Sequence, residues 1–123
     1  MKKVLLIDDD DLVRYSLVRG LQQFDFQIIE LENGLKALKT IESELPDIMI
    51  TDLIMPEQEG IATIRQVHKS YPKLPIIAIS GGGRNIGAEH LDIAQALGAN
   101  ATLSKPLDIQ ELNALIEQLT AAD

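Results

Sequence analysis

Five short apolar runs alternate along the chain with segments of helical periodicity, and this alternation limits the possible folds more than any other feature. The runs cover residues 4–7, 27–31, 48–51, 76–79 and, more weakly, 101–103. Most of them are continuous rather than interrupted at every second position, which is typical of strands covered on both faces. We therefore predict five buried strands.

The segments between these runs carry apolar residues every three or four positions, so each predicts a helix with one buried stripe. The fourth segment is less regular, and the last begins with Asp108 and Glu111 as a cap pair. The stripes are Val13, Leu17, Leu21, Phe24; Leu35, Leu38, Ile41, Leu45; Ile61, Ile64, Val67, Tyr71; Leu91, Ala94, Leu97; and Ile109, Leu112, Leu115, Ile116, Leu119.

Strands and helices that alternate with short links favour parallel strands joined by right-handed crossovers. The predicted fold class is therefore α/β, an open parallel sheet with helices on both faces. No linker-like or repetitive stretch divides the chain, so we expect one domain over residues 1–123.

Composition excludes several classes of function. The chain has 11 basic and 19 acidic residues, a formal charge of -8, and such a surface repels nucleic acid and anionic membranes. It has no cysteine, which excludes disulfides and thiolate metal sites and fits a cytoplasmic location. The apolar run at 4–7 is far too short for a signal peptide or a membrane span.

Candidate functional residues stand at the ends of four of the five predicted strands. Asp8 to Asp11 follow the first strand, Asp52 the third, Ser80 the fourth and Lys105 the fifth. The carboxyl ends of parallel strands meet at one edge of the sheet, where such folds place their functional groups. We interpret Asp10 and Asp11 as acids of a first helical turn, and the other acids as members of a site.

Charge repulsion among Asp8, Asp9 and Asp52 predicts a bound cation. Two carboxylates at about 4 Å repel by about 4 kcal/mol when the effective dielectric is roughly 20. Lys105 alone cannot neutralise three such groups, whereas an oxygen-ligated ion such as Mg²⁺ can. A Mg²⁺ ion with open positions, beside an amine and a hydroxyl, suits a phosphoryl group, and the nearest carboxylate would be the nucleophile.

Four segments resemble, in order and spacing, the receiver domains of bacterial response regulators, and the likeness spans nearly the whole chain. They are VLLIDDDD at 4–11, TDLIMPEQEG at 51–60, PIIAIS at 75–80 and SKPLD at 104–108. The resemblance implies a flavodoxin-like (βα)5 fold with strand order 2-1-3-4-5. It also implies that Asp8 and Asp9 bind Mg²⁺ together with Asp52 and the backbone carbonyl of Ile54.

The same resemblance implies that Asp52 is the phosphoacceptor and that Ser80 and Lys105 contact the phosphoryl group. The family usually has a cis peptide bond between the lysine and the following proline, here Pro106, which would direct Lys105 toward Asp52. Met55-Pro56 and Gly60 match the loop after the phosphoacceptor, where the chain turns into the third helix.

The sequence departs from the family pattern in two places. Receivers commonly carry an aromatic residue three positions before the lysine, and its ring moves between outward and inward positions on activation. This chain has Thr102 at that position, so it lacks the usual aromatic ring that signals activation. Three glycines at 81–83 follow Ser80, in a link that is longer than typical. We expect this loop to order when Ser80 meets a phosphoryl group.

The resemblance implies a phosphorylation switch rather than an enzyme with an external substrate. A histidine kinase or histidine phosphotransfer protein would supply the phosphoryl group. The chain would bind a downstream protein or pass the phosphoryl group on, through the acceptor-site edge or the face of the fourth helix, fifth strand and fifth helix. No direct contact with nucleic acid or membrane is expected. A stand-alone regulator is the favoured arrangement, with a domain excised from a larger regulator or hybrid kinase as the alternative.

Three other functions fit these residues less well. A dehalogenase-like phosphatase would use Asp8 and Asp10, but it leaves Asp52 without a role. A flavin-binding module would place four aspartates at the cofactor phosphate, where they would repel it. A degenerate receiver is disfavoured because every residue that phosphorylation needs is present. His68 and His90 have no partner at metal-ligand spacing and are assigned no function.

Overall fold

The computed structural model describes residues 1–53, 60–80 and 86–121. The described strands are Lys2–Ile7 (β1), Phe26–Leu31 (β2), Ile48–Asp52 (β3), Ile76–Ser80 (β4) and Ala101–Ser104 (β5). The described helices are Asp11–Leu21 (α1), Ala37–Glu44 (α2), Gly60–Ser70 (α3), Ile86–Leu97 (α4) and Ile109–Leu119 (α5), with a 3₁₀ turn at Gly34–Lys36 before α2. None of these helices combines the length and the apolar character needed to cross a bilayer.

The strands form one parallel sheet in the order β2-β1-β3-β4-β5, which confirms the predicted α/β architecture and strand order. In its register, Ile7 of β1 lies beside Thr51 of β3. The next residues, Asp8 directly after β1 and Asp52 at the end of β3, therefore lie side by side at the carboxyl edge of the sheet. The order of the strands reverses between β1 and β3, and ligands of open α/β sheets bind at such a point.

The sheet is covered on both faces, as the continuous apolar runs predict. Leu5, Ile7 and Met49 face one layer, whereas Val4 and Leu6 face the other. All five side chains are at most 1 % exposed. Burial of a leucine or isoleucine side chain contributes about 1.5 to 3 kcal/mol, so this core holds the carboxyl ends of the strands in a rigid frame.

The predicted buried stripe of the second helical segment is wrong at both ends. Leu35 is 59 % exposed and Leu45 is 73 % exposed, and the buried residues of this segment are Gly34, Ala37 and Ile41. A 3₁₀ turn precedes α2, and its tighter winding shifts the phase of the side chains. Leu45 follows the last residue of α2 with φ 52°, so it turns away from the core.

The predicted start of the last helix is confirmed. The carboxylate of Asp108 accepts hydrogen bonds from the backbone N–H groups of Gln110 and Glu111, which satisfies two of the free donors at the start of α5. Leu112 and Ile116 are then buried against the sheet, as their spacing predicts.

Candidate functional site

Three carboxylates meet where β1 and β3 end. One oxygen from each of Asp8, Asp9 and Asp52 lies within 4.8 Å of the other two. Asp8 is 1 % exposed and Asp52 is 8 % exposed, whereas Asp9 faces solvent. The structure therefore brings together the three acids that the sequence predicts as metal ligands.

Hydrogen bonds to the backbone hold the two buried carboxylates in place. Oδ1 of Asp8 accepts from the N–H of Asp10 at 2.9 Å, and Oδ1 of Asp52 accepts from the N–H of Leu53 at 2.9 Å. The N–H of Asp8 donates to the carbonyl of Leu31 at 3.1 Å, which ties the end of β1 to β2. The second oxygen of each buried carboxylate, Oδ2, faces the ammonium group of Lys105.

Lys105 lies between the remaining oxygens of the same two residues. Its Nζ is 3.4 Å from Oδ2 of Asp8 and 3.5 Å from Oδ2 of Asp52. The Lys105-Pro106 peptide bond is cis, as the resemblance implies, and the N–H of Lys105 donates to the carbonyl of Ser80 at 2.8 Å. The ammonium group thus reaches the acidic cluster from the end of β5.

The pKa of the Asp52 carboxyl is raised above its ordinary value. Burial is the main cause, and the charges of Asp8 and Asp9 act in the same direction. Lys105 and the N–H of Leu53 oppose the rise without cancelling it. Ionised Asp52 is therefore under-stabilised by the protein groups around it, and a cation would favour the charged form.

The donor set fits a magnesium ion. The three carboxylates supply only oxygen ligands, which hard cations prefer, and their combined charge exceeds that of the adjacent Lys105. A Mg²⁺ ion held by these carboxylates would keep coordination positions free for water or for the oxygens of a substrate.

Ser80 is the last residue of β4 and is 3 % exposed. Its carbonyl binds the N–H of Lys105, so the ends of β4 and β5 are joined beside the acids. Thr102 lies on β5 beside Ala78 and is half-buried. Some residues singled out in the sequence lie outside the described part of the chain: Ile54, Met55-Pro56, residues 81–83, and the side chains of His90 and Leu91.

Two contacts at the site were not anticipated from the sequence. The hydroxyl of Thr51 donates to the carbonyl of Asp52 at 2.9 Å, inside the core. Nη1 of Arg14 donates to the carbonyl of Asp8. The sole sequence signal for Arg14 was its spacing from Asp11, three residues apart on one helix.

Gly60 is needed because the chain passes very close to the end of β3. A Cβ at this position would lie 1.9 Å from the carbonyl oxygen of Asp52 and 2.7 Å from Cα of Leu53. The N–H of Gly60 donates to the carbonyl of Leu53 at 2.8 Å. The sequence suggested a turn glycine, and the structure adds close backbone contact as the reason.

Gly60→Ala is therefore expected to lower the free energy of unfolding by about 3 kcal/mol, because neither backbone atom can move aside cheaply. Urea denaturation followed by circular dichroism would measure it. Gly20→Ala is the control, since the three atoms nearest to a Cβ there all belong to the Ile109 side chain, with Cδ1 at 2.6 Å and Cγ1 at 2.7 Å, and a side chain can shift at lower cost than the backbone, so a smaller loss is expected. Equal losses in the two variants would contradict this explanation.

Comparison with known proteins agrees with the geometry. Residues 4–117 match the family described as "Response regulator receiver domain". The chain is 32% identical over 120 residues to the DNA-binding transcriptional regulator NtrC of Escherichia coli (strain K12), covering 94% of this chain and 24% of NtrC. It thus spans about a quarter of the length of such relatives.

Two further proteins match over almost their whole length. The response regulator receiver protein CpdR of Brucella abortus (strain 2308) is 31% identical over 123 residues, which is 99% of each chain. A putative response regulator from Chloroflexus aurantiacus J-10-fl has a crystal structure with a TM-score of 0.89 and 28% identity, covering 98% of both chains. A match of this extent in sequence, together with the shared fold, shows that the chain belongs to the response regulator receiver domain family.

Proposed function

We propose that the chain is a phosphoacceptor switch, in which Asp52 takes a phosphoryl group from a phosphohistidine of a histidine kinase or histidine phosphotransfer protein. The observation that carries this proposal is the position of Lys105 Nζ, 3.5 Å from Oδ2 of Asp52 and 3.4 Å from Oδ2 of Asp8. The proposed nucleophile Asp52, a second carboxylate from Asp8 and the ammonium group of Lys105 meet there at one edge of the sheet.

The Asp52 carboxylate is suited to be the nucleophile. Lys105 at 3.5 Å and a bound cation would favour its ionised form, which is the form that can attack phosphorus. Its oxygen attacks phosphorus, a P–O bond forms, and the P–N bond to the donor histidine breaks with its electron pair left on the imidazole nitrogen. The product is an acyl phosphate, which water hydrolyses later.

Lys105 and Ser80 would bind the transferred group. The ammonium of Lys105 lies beside the attacking oxygen, so it can donate to the phosphoryl oxygens as their charge develops. Ser80, buried at the end of β4, is the proposed hydroxyl contact from the neighbouring strand.

Asp8, Asp9 and Asp52 are the residues that would hold Mg²⁺, with the carbonyl of Ile54 as a further proposed ligand. When bound, Mg²⁺ offsets the negative charge of the carboxylates and of the phosphoryl oxygens. The clustered oxygens and their excess negative charge support this assignment.

Phosphorylation would change how the chain binds a downstream protein, and the proposed contact surface is the face of α4, β5 and α5. The chain would act in the cytoplasm, and it would catalyse only its own phosphorylation and dephosphorylation. CpdR matches at full length and NtrC over about a quarter of its length, so the proposal applies to a stand-alone protein or to one domain of a longer one.

The position of Asp10 weighs against a dehalogenase-like phosphatase. That mechanism would need the Asp10 carboxylate at the reacting centre. Its Oδ1 instead accepts from the N–H groups of Leu12 at 3.0 Å and Val13 at 3.1 Å, as the N-cap of α1.

The test is phosphorylation by acetyl phosphate, read by intact mass. We expect the mass of one phosphoryl group to be added when Mg²⁺ is present, and none after the divalent cations are removed by a chelator. Hydroxylamine should remove the added group, because it cleaves acyl phosphates. Failure to label with acetyl phosphate and with a phosphorylated histidine phosphotransfer protein would overturn the proposal.

A further inference from the structure

Arg14 connects three separate parts of the chain beside the acidic cluster. Its side chain is only 16 % exposed. Nη1 donates to the backbone carbonyl of Asp8, Nη2 binds Oδ1 of Asp11 at 2.6 Å, and Nε binds Oε1 of Glu30 at 3.2 Å. The guanidinium therefore joins the end of β1, the first turn of α1 and the edge strand β2.

The contact with Asp8 is made at the peptide group that links Asp8 to Asp9. The N–H of Asp8 is already bonded to Leu31, and its carboxylate is already bonded to the N–H of Asp10. Arg14 adds a bond to the carbonyl between these two restraints. Because that carbonyl belongs to the Asp8-Asp9 peptide, its orientation sets the directions in which both carboxylates leave the chain.

We propose that Arg14 is a positioning residue of the cation site, which holds the Asp8-Asp9 peptide so that both carboxylates point toward Asp52. This inference rests on the cation binding in the proposed function. Groups that orient metal ligands from outside the ligand shell affect metal affinity strongly, often by about 10- to 100-fold.

The charge of Arg14 by itself would act in the opposite direction. A positive guanidinium near the site repels Mg²⁺, so its removal should tighten cation binding if only long-range electrostatics mattered. If Arg14 positions the ligands, its removal should weaken binding. The sign of the change in affinity therefore separates the two roles.

A role in stability alone would also give a different result. The two acids that pair with Arg14 are solvent-exposed, with side chains 81 % exposed for Asp11 and 46 % for Glu30. Such exposed pairs contribute little to folding stability. A variant that folds normally but binds Mg²⁺ weakly would therefore not be explained by lost stability.

Lysine is not equivalent to arginine at this position. The planar guanidinium presents donors in several fixed directions and so reaches Asp8, Asp11 and Glu30 together. An ammonium group retains the charge but lacks this geometry. Arg14→Lys therefore separates the effect of charge from the effect of position.

The experiment is an NMR titration with Mg²⁺, following the backbone amides of Asp9 and Asp10, on the unphosphorylated protein. The variants are Arg14→Met and Arg14→Lys, with Arg19→Met as the matched control. Arg19 lies at the other end of α1 and contacts Tyr15. Circular dichroism melting of each variant without Mg²⁺ monitors the fold.

We expect the Kd for Mg²⁺ to rise about tenfold in Arg14→Met, to rise also in Arg14→Lys, and to stay near the wild-type value in Arg19→Met. An unchanged or lower Kd in Arg14→Met would overturn the inference. Should that variant not fold, Arg14→Lys decides, since a wild-type Kd there would show that the geometry of the guanidinium is not needed and would overturn the inference. Absence of Mg²⁺ binding in the wild type would overturn both this inference and the cation site of the proposed function.

Discussion

Asp52→Asn is expected to take up no phosphoryl group from acetyl phosphate at any concentration of Mg²⁺. The amide has nearly the shape of the carboxylate but carries no charge and is a very poor nucleophile, so the P–O bond does not form. Intact mass spectrometry of the two proteins, incubated side by side, would show the added mass in the wild type alone.

Asp47→Asn is the matched control for this substitution. Asp47 directly precedes β3, at the opposite end of the strand from Asp52, and its Oδ2 accepts from the N–H of Lys3 at 2.7 Å. This variant should be phosphorylated as the wild type is. Labelling of Asp52→Asn to the wild-type extent would contradict the assignment of the phosphoacceptor.

The same Asp52→Asn substitution should raise the free energy of unfolding in metal-free buffer near neutral pH. Burial raises the pKa of Asp52 in the folded protein above its unfolded value, so the folded state binds this proton more tightly. The resulting stability is complete below the unfolded pKa and is lost as the pH rises through the folded pKa. Asparagine is neutral at every pH, so the variant does not lose this stability.

The advantage of the variant should accordingly be smallest below the unfolded pKa of Asp52, grow as the pH rises from there through the raised folded pKa, and then level off. Urea denaturation at a series of pH values would measure it. Mg²⁺ should reduce the difference, because it stabilises the charged form of the wild type. A difference independent of pH would show that burial does not disfavour the ionised carboxylate.

Lys105→Met is expected to slow phosphoryl uptake by about 10²- to 10³-fold at saturating Mg²⁺. Methionine retains an apolar stem of similar length but removes the ammonium that lies 3.5 Å from Oδ2 of Asp52. The charge that develops on the phosphoryl oxygens then loses a donor inside the site. The initial rate of mass gain with acetyl phosphate would measure the effect.

Lys2→Met is the control for the loss of one positive charge. Lys2 pairs with Glu117 at 3.2 Å, away from the acidic cluster. The variant should therefore take up the phosphoryl group at the wild-type rate. Mg²⁺ binding by Lys105→Met should be unchanged or tighter, because the cation no longer competes with the ammonium for Asp8 and Asp52. A rate for Lys105→Met close to that of Lys2→Met would contradict the proposed role.

The strands and the location of the site could be predicted because both depend on local patterns. A continuous apolar run such as 48–51 is compatible with a buried strand and not with an exposed one. In a parallel sheet the residues that follow each strand come out at one edge, so Asp8, Asp52 and Lys105 could be placed together before their distances were known.

Other features depend on contacts that periodicity does not report. Leu35 and Leu45 follow helical spacing, but Leu35 lies in the 3₁₀ turn before α2, and Leu45 turns away after the end of α2 with φ 52°, so both are exposed. Gly60 could be identified as a turn residue, whereas its approach to the carbonyl of Asp52 follows from how α3 meets β3.

By itself, the sequence determined the class of fold, the family and the chemical groups at the site, because these follow from residue types and their spacing. Only the tertiary structure decided the pKa of the acceptor carboxyl and the contacts that hold the site residues in place. The raised pKa of Asp52 requires the covering of the sheet that buries it. The role inferred for Arg14 requires α1 to pack beside β2, since Glu30 lies 16 residues away along the chain. Such effects arise from distances between remote residues, which the order of residues along the chain does not specify.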